Sequence, residues 1–303
     1  MRIFNTWPAL FWTLMLFVLC GCFRPSFAAG KSKFLSVDWP QTVTQGEAFV
    51  IRVVSPKKLK ELKGELAGKP VYFAEISSSV YLALAGIDVE EAPGRRDWKI
   101  AALPEKRWFR WKAEGSFEIN AGTFPVQRLT LPPKMVTFDE ETQKRVDRDS
   151  AKLKEVFGLN SGERLWHEPF VYPVRKMRIS SAFGLQRIMN DEPRPRHTGV
   201  DFRAPVGEPI LAVNAGRVAL VDNQYLGGNV VAIDHGWGIF SVYSHLDATT
   251  VKEGERVLKG QMIGRAGQTG RASGPHLHFA FRLNGARVDP MTVFKINRAR
   301  LGF

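Results

Sequence analysis

The sequence predicts a mainly β protein in which two β domains are joined by a short helix. Short runs of β-branched and aromatic residues, separated by Gly, Pro and charged turns, recur through residues 34–130 and become denser from residue 170 onward. Such runs are typical of strands. Between them, one stretch near residue 137 carries the start and stop signals of a helix. A chain of 303 residues is long enough for two domains and their tails.

Residues 1–28 are predicted to be a secretory signal. Residues 7–22 are almost entirely apolar but too few for a typical spanning helix, and Ser26-Phe27-Ala28 offers a small-x-small cleavage site. Cleavage would remove Cys20 and Cys22, the two cysteines of the chain. The mature protein is therefore expected in the periplasm, the cell envelope or the medium, without disulfides and without an integral membrane span. The alternative is a lipid anchor on Cys22, which ends a Leu-Cys-Gly-Cys sequence similar to a lipoprotein box.

The chain has a formal net charge of +13, from 43 basic and 30 acidic residues. The basic residues are scattered among acidic ones and form no block of the kind that binds nucleic acid, so no nucleic-acid partner is expected. The charge favours either attraction to an acidic polymer or surface in general, or simple solubility.

Residues 34–130 are predicted to form an immunoglobulin-like β-sandwich. The region contains no histidine or cysteine and no paired carboxylates in an apolar setting. A spacer, a lid or a binding module is therefore expected. The predicted strands are residues 48–54, 71–73, 80–84, 98–100 and 116–119.

Residues 131–169 are predicted to be a connector. Two prolines end the first domain, and Thr137-Phe-Asp-Glu140 fits a capping box. The helix after this box should run to about Phe157 and stop at Gly158. His167 stands alone in the last part of the connector and is assigned no function.

Residues 170–293 are predicted to form a compact antiparallel β domain, followed by a tail, 294–303. No stretch after residue 158 has convincing helical periodicity, whereas short apolar runs and tight turns are frequent. Five of the six histidines lie in this region.

Two of the histidine motifs suit a catalytic metal site. His197 and Asp201 form H-x-x-x-D, and prolines and glycines around them favour a loop that runs into a strand. His276 and His278 form H-x-H, whose period of two places both on one face of a strand with Leu277 in the core. A catalytic zinc needs three protein ligands and one open position. These four candidates exceed that number, and a closed structural site is the less favoured alternative because the set lacks cysteine.

Together with Tyr243-Ser-His245-Leu, Gly267–Pro275 and Val288-Asp-Pro290, these motifs resemble the lysostaphin-like (LytM-type) zinc metalloendopeptidases. The resemblance covers about residues 170–293. It implies that His197, Asp201 and His278 bind Zn²⁺ and that His245 and His276 are the catalytic histidines beside the metal. It also implies cleavage of peptide cross-links in bacterial peptidoglycan. Many members carry an acid where Ala280 stands here, and His235 matches a turn that is structural in the family.

The function expected from this resemblance is that of an exported zinc endopeptidase of cell-wall peptides. A non-catalytic activator of other wall hydrolases is the first alternative, because some proteins of this fold have lost the zinc ligands. A wall-binding protein whose N-terminal domain does the work is the second alternative. The sequence leaves open whether the bond cleaved is a D-alanyl cross-link or a glycine bridge.

Overall fold

The computed structural model describes residues 27–29, 34–130, 138–159, 162–296 and 301. The chain is mainly β, as predicted, with one long helix between two β regions. Most of the predicted signal, with Cys20 and Cys22, lies outside the described residues, and the predicted cleavage point falls within a short described strand at residues 27–29. In the part of the chain that is described, no helix has the length and apolarity required to span a membrane.

The N-terminal region consists of two five-stranded sheets that share one apolar core. The first sheet has the order β1-β2-β4-β8-β7 and the second the order β3-β10-β9-β5-β6. Successive side chains of a strand point to opposite faces of the sheet, which explains why Phe49, Ile51 and Val53 of one strand all lie in the shared core. The strands are β1 (Phe27–Ala29), β2 (Ser36–Pro40), β3 (Thr42–Thr44), β4 (Ala48–Val54), β5 (Leu59–Leu66), β6 (Lys69–Val71), β7 (Ala74–Ser77), β8 (Val80–Gly86), β9 (Gly94–Pro104) and β10 (Trp111–Asn120).

Four of the five strands predicted for this region lie within observed strands and the fifth is displaced, whereas β2, β3, β5 and β7 were not predicted. Strand β4 has the bounds predicted, whereas the predicted strand at residues 71–73 is displaced to β6. Strand β5 was missed because Lys and Glu dominate its sequence. It is nevertheless a full strand, since its backbone pairs with β9 along most of its length.

A strand and a helix come after the first region. Strand β11 (Val126–Leu129) pairs with a strand of the second region, and helix α1 (Glu140–Gly158) comes after residues 131–137. The side chain of Asp139 caps this helix by accepting a hydrogen bond from the amide of Thr142 at 2.8 Å. The cap is therefore Asp139, whereas the predicted capping box began at Thr137, which lies outside the described residues.

The C-terminal region is built around a sheet whose strand pairs are antiparallel, as predicted. Its main path is β12-β15-β22-β19-β18-β17-β20, with β16, β21 and β23 attached. The prediction that no helix follows residue 158 was wrong, because five residues after Asp289 form helix α2, which begins with proline. The elements are β12 (Ile179–Ser181), β13 (Gln186–Met189), β14 (Glu192–Pro193), β15 (Val200–Arg203), β16 (Pro209–Leu211), β17 (Gly216–Gln224), β18 (Gly228–Asp234), β19 (Ile239–Thr249), β20 (Arg256–Val257), β21 (Met262–Ala266), β22 (His276–Leu283), β23 (Ala286–Val288) and α2 (Pro290–Phe294).

Strand β8 is buried on both faces. Tyr81, Ala83 and Ala85 belong to the N-terminal core, whereas Leu84 belongs to the core of the C-terminal region. A polar contact accompanies this packing, because the carboxylate of Asp88 accepts hydrogen bonds from the backbone amide and the guanidinium of Arg287 at 2.6–2.9 Å. The two β regions therefore meet over a surface that is both apolar and ion-paired.

Candidate metal centre

Two adjacent strands position the candidate ligands. Strands β15 and β22 are antiparallel neighbours, and Asp201 lies directly opposite His278 in their register. His197 stands in the loop that leads into β15, as predicted. Leu277 is fully buried between His276 and His278, so the predicted period of two along β22 is confirmed.

Three donor atoms converge at this place. The Nε2 atom of His197 lies 3.0 Å from Oδ1 of Asp201 and 2.9 Å from Nδ1 of His278. Nδ1 of His278 is also 2.9 Å from Oδ1 of Asp201. These three residues form a group of potential metal ligands, with its ligand atoms all within 4.8 Å of one another.

The donor set fits a zinc ion. Nitrogen and oxygen ligands about 2.0–2.1 Å from a tetrahedral zinc ion lie roughly 3.3 Å apart, which is close to the separations observed. Burial raises the pKa of the Asp201 carboxyl, but hydrogen bonds and charge from His197 and His278 outweigh burial and lower it. Burial also lowers the pKa of His278. Both shifts favour the deprotonated forms that bind metal.

A hydrogen bond to a backbone carbonyl defines which nitrogen of His197 is free. Nδ1 of His197 lies 2.9 Å from the carbonyl oxygen of Ala182. Because a carbonyl only accepts, Nδ1 carries the proton and Nε2 directs its lone pair at the three-atom cluster. Partners of this kind fix the tautomer and the ring orientation of metal-binding histidines.

His245 and His276 form a second pair beside the three-atom cluster. Their ring centroids are 4.6 Å apart, and Nε2 of His276 lies 3.9 Å from Oδ1 of Asp201. Each ring is oriented through Nδ1, by the carbonyl of Thr269 at 2.9 Å and by that of Gly274 at 2.8 Å respectively. In the neutral form of each ring, the Nε2 atom therefore carries the lone pair. Burial lowers the pKa of His245 to about 4, so this ring is neutral at ordinary pH.

A bulge in β19 carries His245. The register between β18 and β19 shifts next to this residue, whose φ of +64° lies in the left-handed region. Residues other than glycine adopt this conformation at a cost, and such residues cluster at functional sites. The amide of His245 is held by the carbonyl of Gly227 at 2.7 Å.

Gly199 allows β15 to approach β22 closely. A Cβ atom at this position would lie 2.5 Å from the carbonyl oxygen of Phe279 and 2.7 Å from the ring of His278. Any side chain here would push against the histidine opposite, which explains a glycine between His197 and Asp201.

The three-atom cluster and the second histidine pair lie in an open cleft with basic walls. One wall is a small sheet in which β11, from the segment after the first domain, pairs with β13. The cleft lining contains six basic residues and, besides Asp201, one acidic residue, Glu208. The basic residues are Arg175, Lys176, Arg178, Arg187, Arg203 and Arg271.

The remaining histidines lie apart from the cleft. His235 is fully buried, and its ring nitrogens lie 2.8 Å from the carbonyl oxygen of Ala215 and 2.8 Å from the hydroxyl of Ser241, as expected of a structural residue. His167 is exposed. The sequence did not reveal the carbonyls that orient the histidines of the site, because a backbone acceptor leaves no mark on residue type.

Comparison with known proteins was consistent with this geometry. A family model described as peptidase family M23 matches residues 195–290. A crystal structure from Pseudomonas aeruginosa, described as belonging to peptidase M23, superposes with a TM-score of 0.64 at 28% identity and covers 83% of this chain and 94% of its own.

Two curated relatives also contain this region. The peptidoglycan DD-endopeptidase ShyC of Vibrio cholerae is 36% identical over 225 residues, which are 73% of this chain and 48% of the relative. The DD-carboxypeptidase/endopeptidase Mpg of Neisseria meningitidis is 39% identical over 147 residues, 48% of this chain and 32% of the relative. The chain thus spans half or less of the length of these relatives.

Proposed function

Because residues 195–290 make this chain a member of peptidase family M23, we propose that it is an exported zinc metalloendopeptidase that hydrolyses peptide cross-links of bacterial peptidoglycan. The observation that carries the proposal is the convergence of His197, Asp201 and His278 beside a second pair of oriented histidines.

His197, Asp201 and His278 would hold the zinc ion. When bound, such an ion acts as a Lewis acid that polarises a peptide carbonyl and makes a water molecule acidic. Two imidazoles and one carboxylate supply three ligands, so a position remains open for chemistry. Asp201 would also neutralise part of the charge of the ion, and its lowered pKa keeps it ionised for that purpose.

His245 and His276 would handle protons. Each directs its Nε2 atom toward the cleft and is held there by the hydrogen bond of its Nδ1. One Nε2 would take the proton from the attacking water, and the proton would then be available to the leaving amine. Until it passes this proton on, the same ring would donate its Nε2–H to the oxygen on which negative charge develops.

The basic cleft supports a carboxylate-bearing substrate. Peptide stems of peptidoglycan carry free carboxylates, and the six cations of the lining would attract them. The curated relatives named DD-endopeptidases favour a cross-link between D-residues over a glycine bridge. We extend this preference to the present chain as part of the proposal.

Digestion of purified peptidoglycan tests the proposed function. The chain from residue 29 should release cross-linked peptide fragments whose masses identify the broken bond, and a chelator should stop the release. The His276→Ala variant, which should keep the zinc and lose most of the turnover, provides the matched control. A wild-type protein that releases nothing, yet stimulates an added wall hydrolase, would instead support the alternative of a non-catalytic activator.

A further inference from the structure

A loop of the N-terminal region presents a bare aromatic side chain to solvent. Residues 105–110 join β9 to β10, and all six are exposed. Trp108 at the tip has 92% of its surface accessible, and its neighbour Phe109 has 38%. The rings of these two residues meet edge to face at 5.8 Å. The tip is distinct from the catalytic cleft, whose lining contains none of these residues.

Trp108 is unusual among the tryptophans of the described chain. Trp39, Trp98, Trp111 and Trp166 are each at most 4% exposed. Trp111 lies just after the same loop but turns inward and stacks on Phe34 at 4.9 Å. An exposed tryptophan in the loop is therefore followed closely by a buried one at the start of β10. An exposed aromatic side chain of this size suits a surface that becomes covered in a complex.

The surroundings of the tip are strongly basic. Residues 57–63, which lead into β5 and form its first part, lie beside the loop, since the amide of Glu105 donates to the carbonyl of Lys58 at 3.1 Å. Together, residues 57–63 and 105–112 contain eight basic and two acidic residues, a net charge of +6. Both acidic residues, Glu61 and Glu105, are already ion-paired within the group.

The polar side chains of residues 106–112 donate hydrogen bonds, and none of them accepts. The sequence Lys-Arg-Trp-Phe-Arg-Trp-Lys has no carboxylate, amide or hydroxyl. Such a set matches phosphate oxygens, which only accept, better than sugar hydroxyls, which also need acceptors. Tryptophan and phenylalanine prefer the boundary between water and hydrocarbon, and clustered cations are attracted to anionic lipid headgroups.

We propose that this basic aromatic tip, residues 57–63 and 105–112, binds the surface of an anionic phospholipid bilayer. Trp108 and Phe109 enter the headgroup boundary, while Lys106, Arg107 and the lysines of residues 57–63 contact lipid phosphates. This inference is independent of the catalytic proposal, because it involves none of the residues of the cleft.

Vesicle binding tests the inference. The chain from residue 29 should co-sediment with phosphatidylglycerol–phosphatidylcholine vesicles, much less with pure phosphatidylcholine, and less as salt rises. Trp108→Ala should weaken the binding about tenfold, and Lys106→Glu with Arg107→Glu should weaken it more than tenfold. Trp108→Phe should retain part of the binding, because it keeps an interfacial aromatic ring.

A matched pair of charge reversals on helix α1 provides the control. Arg148→Glu with Lys154→Glu changes the net charge by the same amount as the double variant at the tip. Both positions are exposed and distant in sequence from the tip, so vesicle binding should be nearly unchanged. If the double variants at the tip and on helix α1 lost vesicle binding equally, net charge alone would explain the effect and the inference would be overturned. The inference would also fail if the tip variants lost binding to purified peptidoglycan while binding to vesicles was unaltered. Peptidoglycan digestion should proceed in all of these variants, which shows that they are folded.

Discussion

At the scale of single residues, the surroundings of each histidine determine what that histidine can do. The ring of His278 directs Nδ1 into the three-atom cluster and bonds to Asp201, whereas the ring of His276, two residues earlier, bonds to the carbonyl of Gly274. Identical side chains on one face of one strand therefore differ in role because their partners differ. We propose that the first is a metal ligand and the second a proton carrier.

Substitution of each residue should separate ligands from proton carriers. His197→Ala, Asp201→Ala and His278→Ala should lose both zinc and activity, because two protein ligands remain. His245→Ala and His276→Ala should keep most of the zinc and lose about 10²–10⁴-fold in turnover, the usual contribution of general acid–base catalysis. Metal analysis and peptide release from peptidoglycan are the measurements.

The assignment would be reversed if His276→Ala emptied the site and His278→Ala retained metal. If all five variants cleaved at the wild-type rate, the proposed zinc peptidase would fail as a whole. Circular dichroism of each variant serves as the folding control.

His235 should make stability depend on pH. Burial lowers the pKa of this ring to about 4 from an ordinary value of 6.5. The folded state thus favours the neutral ring, whose stabilising contribution is complete above pH 6.5 and is lost as pH falls toward 4. A shift of this size corresponds to roughly 3 kcal/mol. Urea unfolding in chelator between pH 7.5 and pH 5 should show a steeper loss of stability for wild type than for His235→Gln. Equal slopes would contradict this explanation.

At the scale of elements, the sequence predicted the features that depend on local pattern. The loop-to-strand path from His197 to Asp201 and the alternation around Leu277 were predictable, because a period of two is visible in residue types. Strand β5 was not, since its Lys and Glu side chains hide a role that backbone pairing with β9 determines. The bulge in β19 was also hidden, because it depends on the register with β18.

The bulge at His245 should reverse the usual order of stability, in which a variant with alanine is more stable than one with glycine. Alanine at position 245 must adopt a φ near +64°, whereas glycine does so without strain. His245→Gly should therefore be more stable than His245→Ala by about 1 kcal/mol. At position 276, which has no positive φ, alanine should be the more stable replacement. The measurement is the free energy of unfolding of the alanine and glycine variants at positions 245 and 276, all without metal. The prediction would be contradicted if the same replacement were the more stable one at both positions.

At the scale of the whole molecule, the core of the C-terminal region extends into the N-terminal one. Ala48, Leu84 and Val89 belong to the same apolar cluster as the strands of the cleft. The amide of Asp289 also donates to the carbonyl of Gly46 at 2.7 Å. The domain boundaries drawn at residues 130 and 170 stay a prediction, and a fragment cut there would expose this apolar contact.

The ion pair between the two regions should contribute measurably to stability. Asp88→Ala removes the acceptor of three hydrogen bonds from Arg287 and leaves a half-buried guanidinium without them. We expect a loss of about 2 kcal/mol, with earlier cleavage in limited proteolysis. Asp38→Ala, which breaks an exposed pair with Arg52, is the control and should cost less than about 1 kcal/mol. Equal losses would show that the contact between the regions adds nothing beyond a surface pair.

The placement of the proposed ligands on β15 and β22 has a mechanical consequence. Asp201 and His278 are neighbours in the sheet but 77 residues apart in the chain. A zinc ion held between them would act as a cross-link and close a long loop, as a disulfide does in many exported proteins. Because the two cysteines of the chain lie in the predicted signal, the metal would provide the cross-link that a disulfide provides elsewhere. The temperature at which the sheet comes apart would then rise with the concentration of free zinc, so that the supply of metal would govern the lifetime of the protein as well as its chemistry.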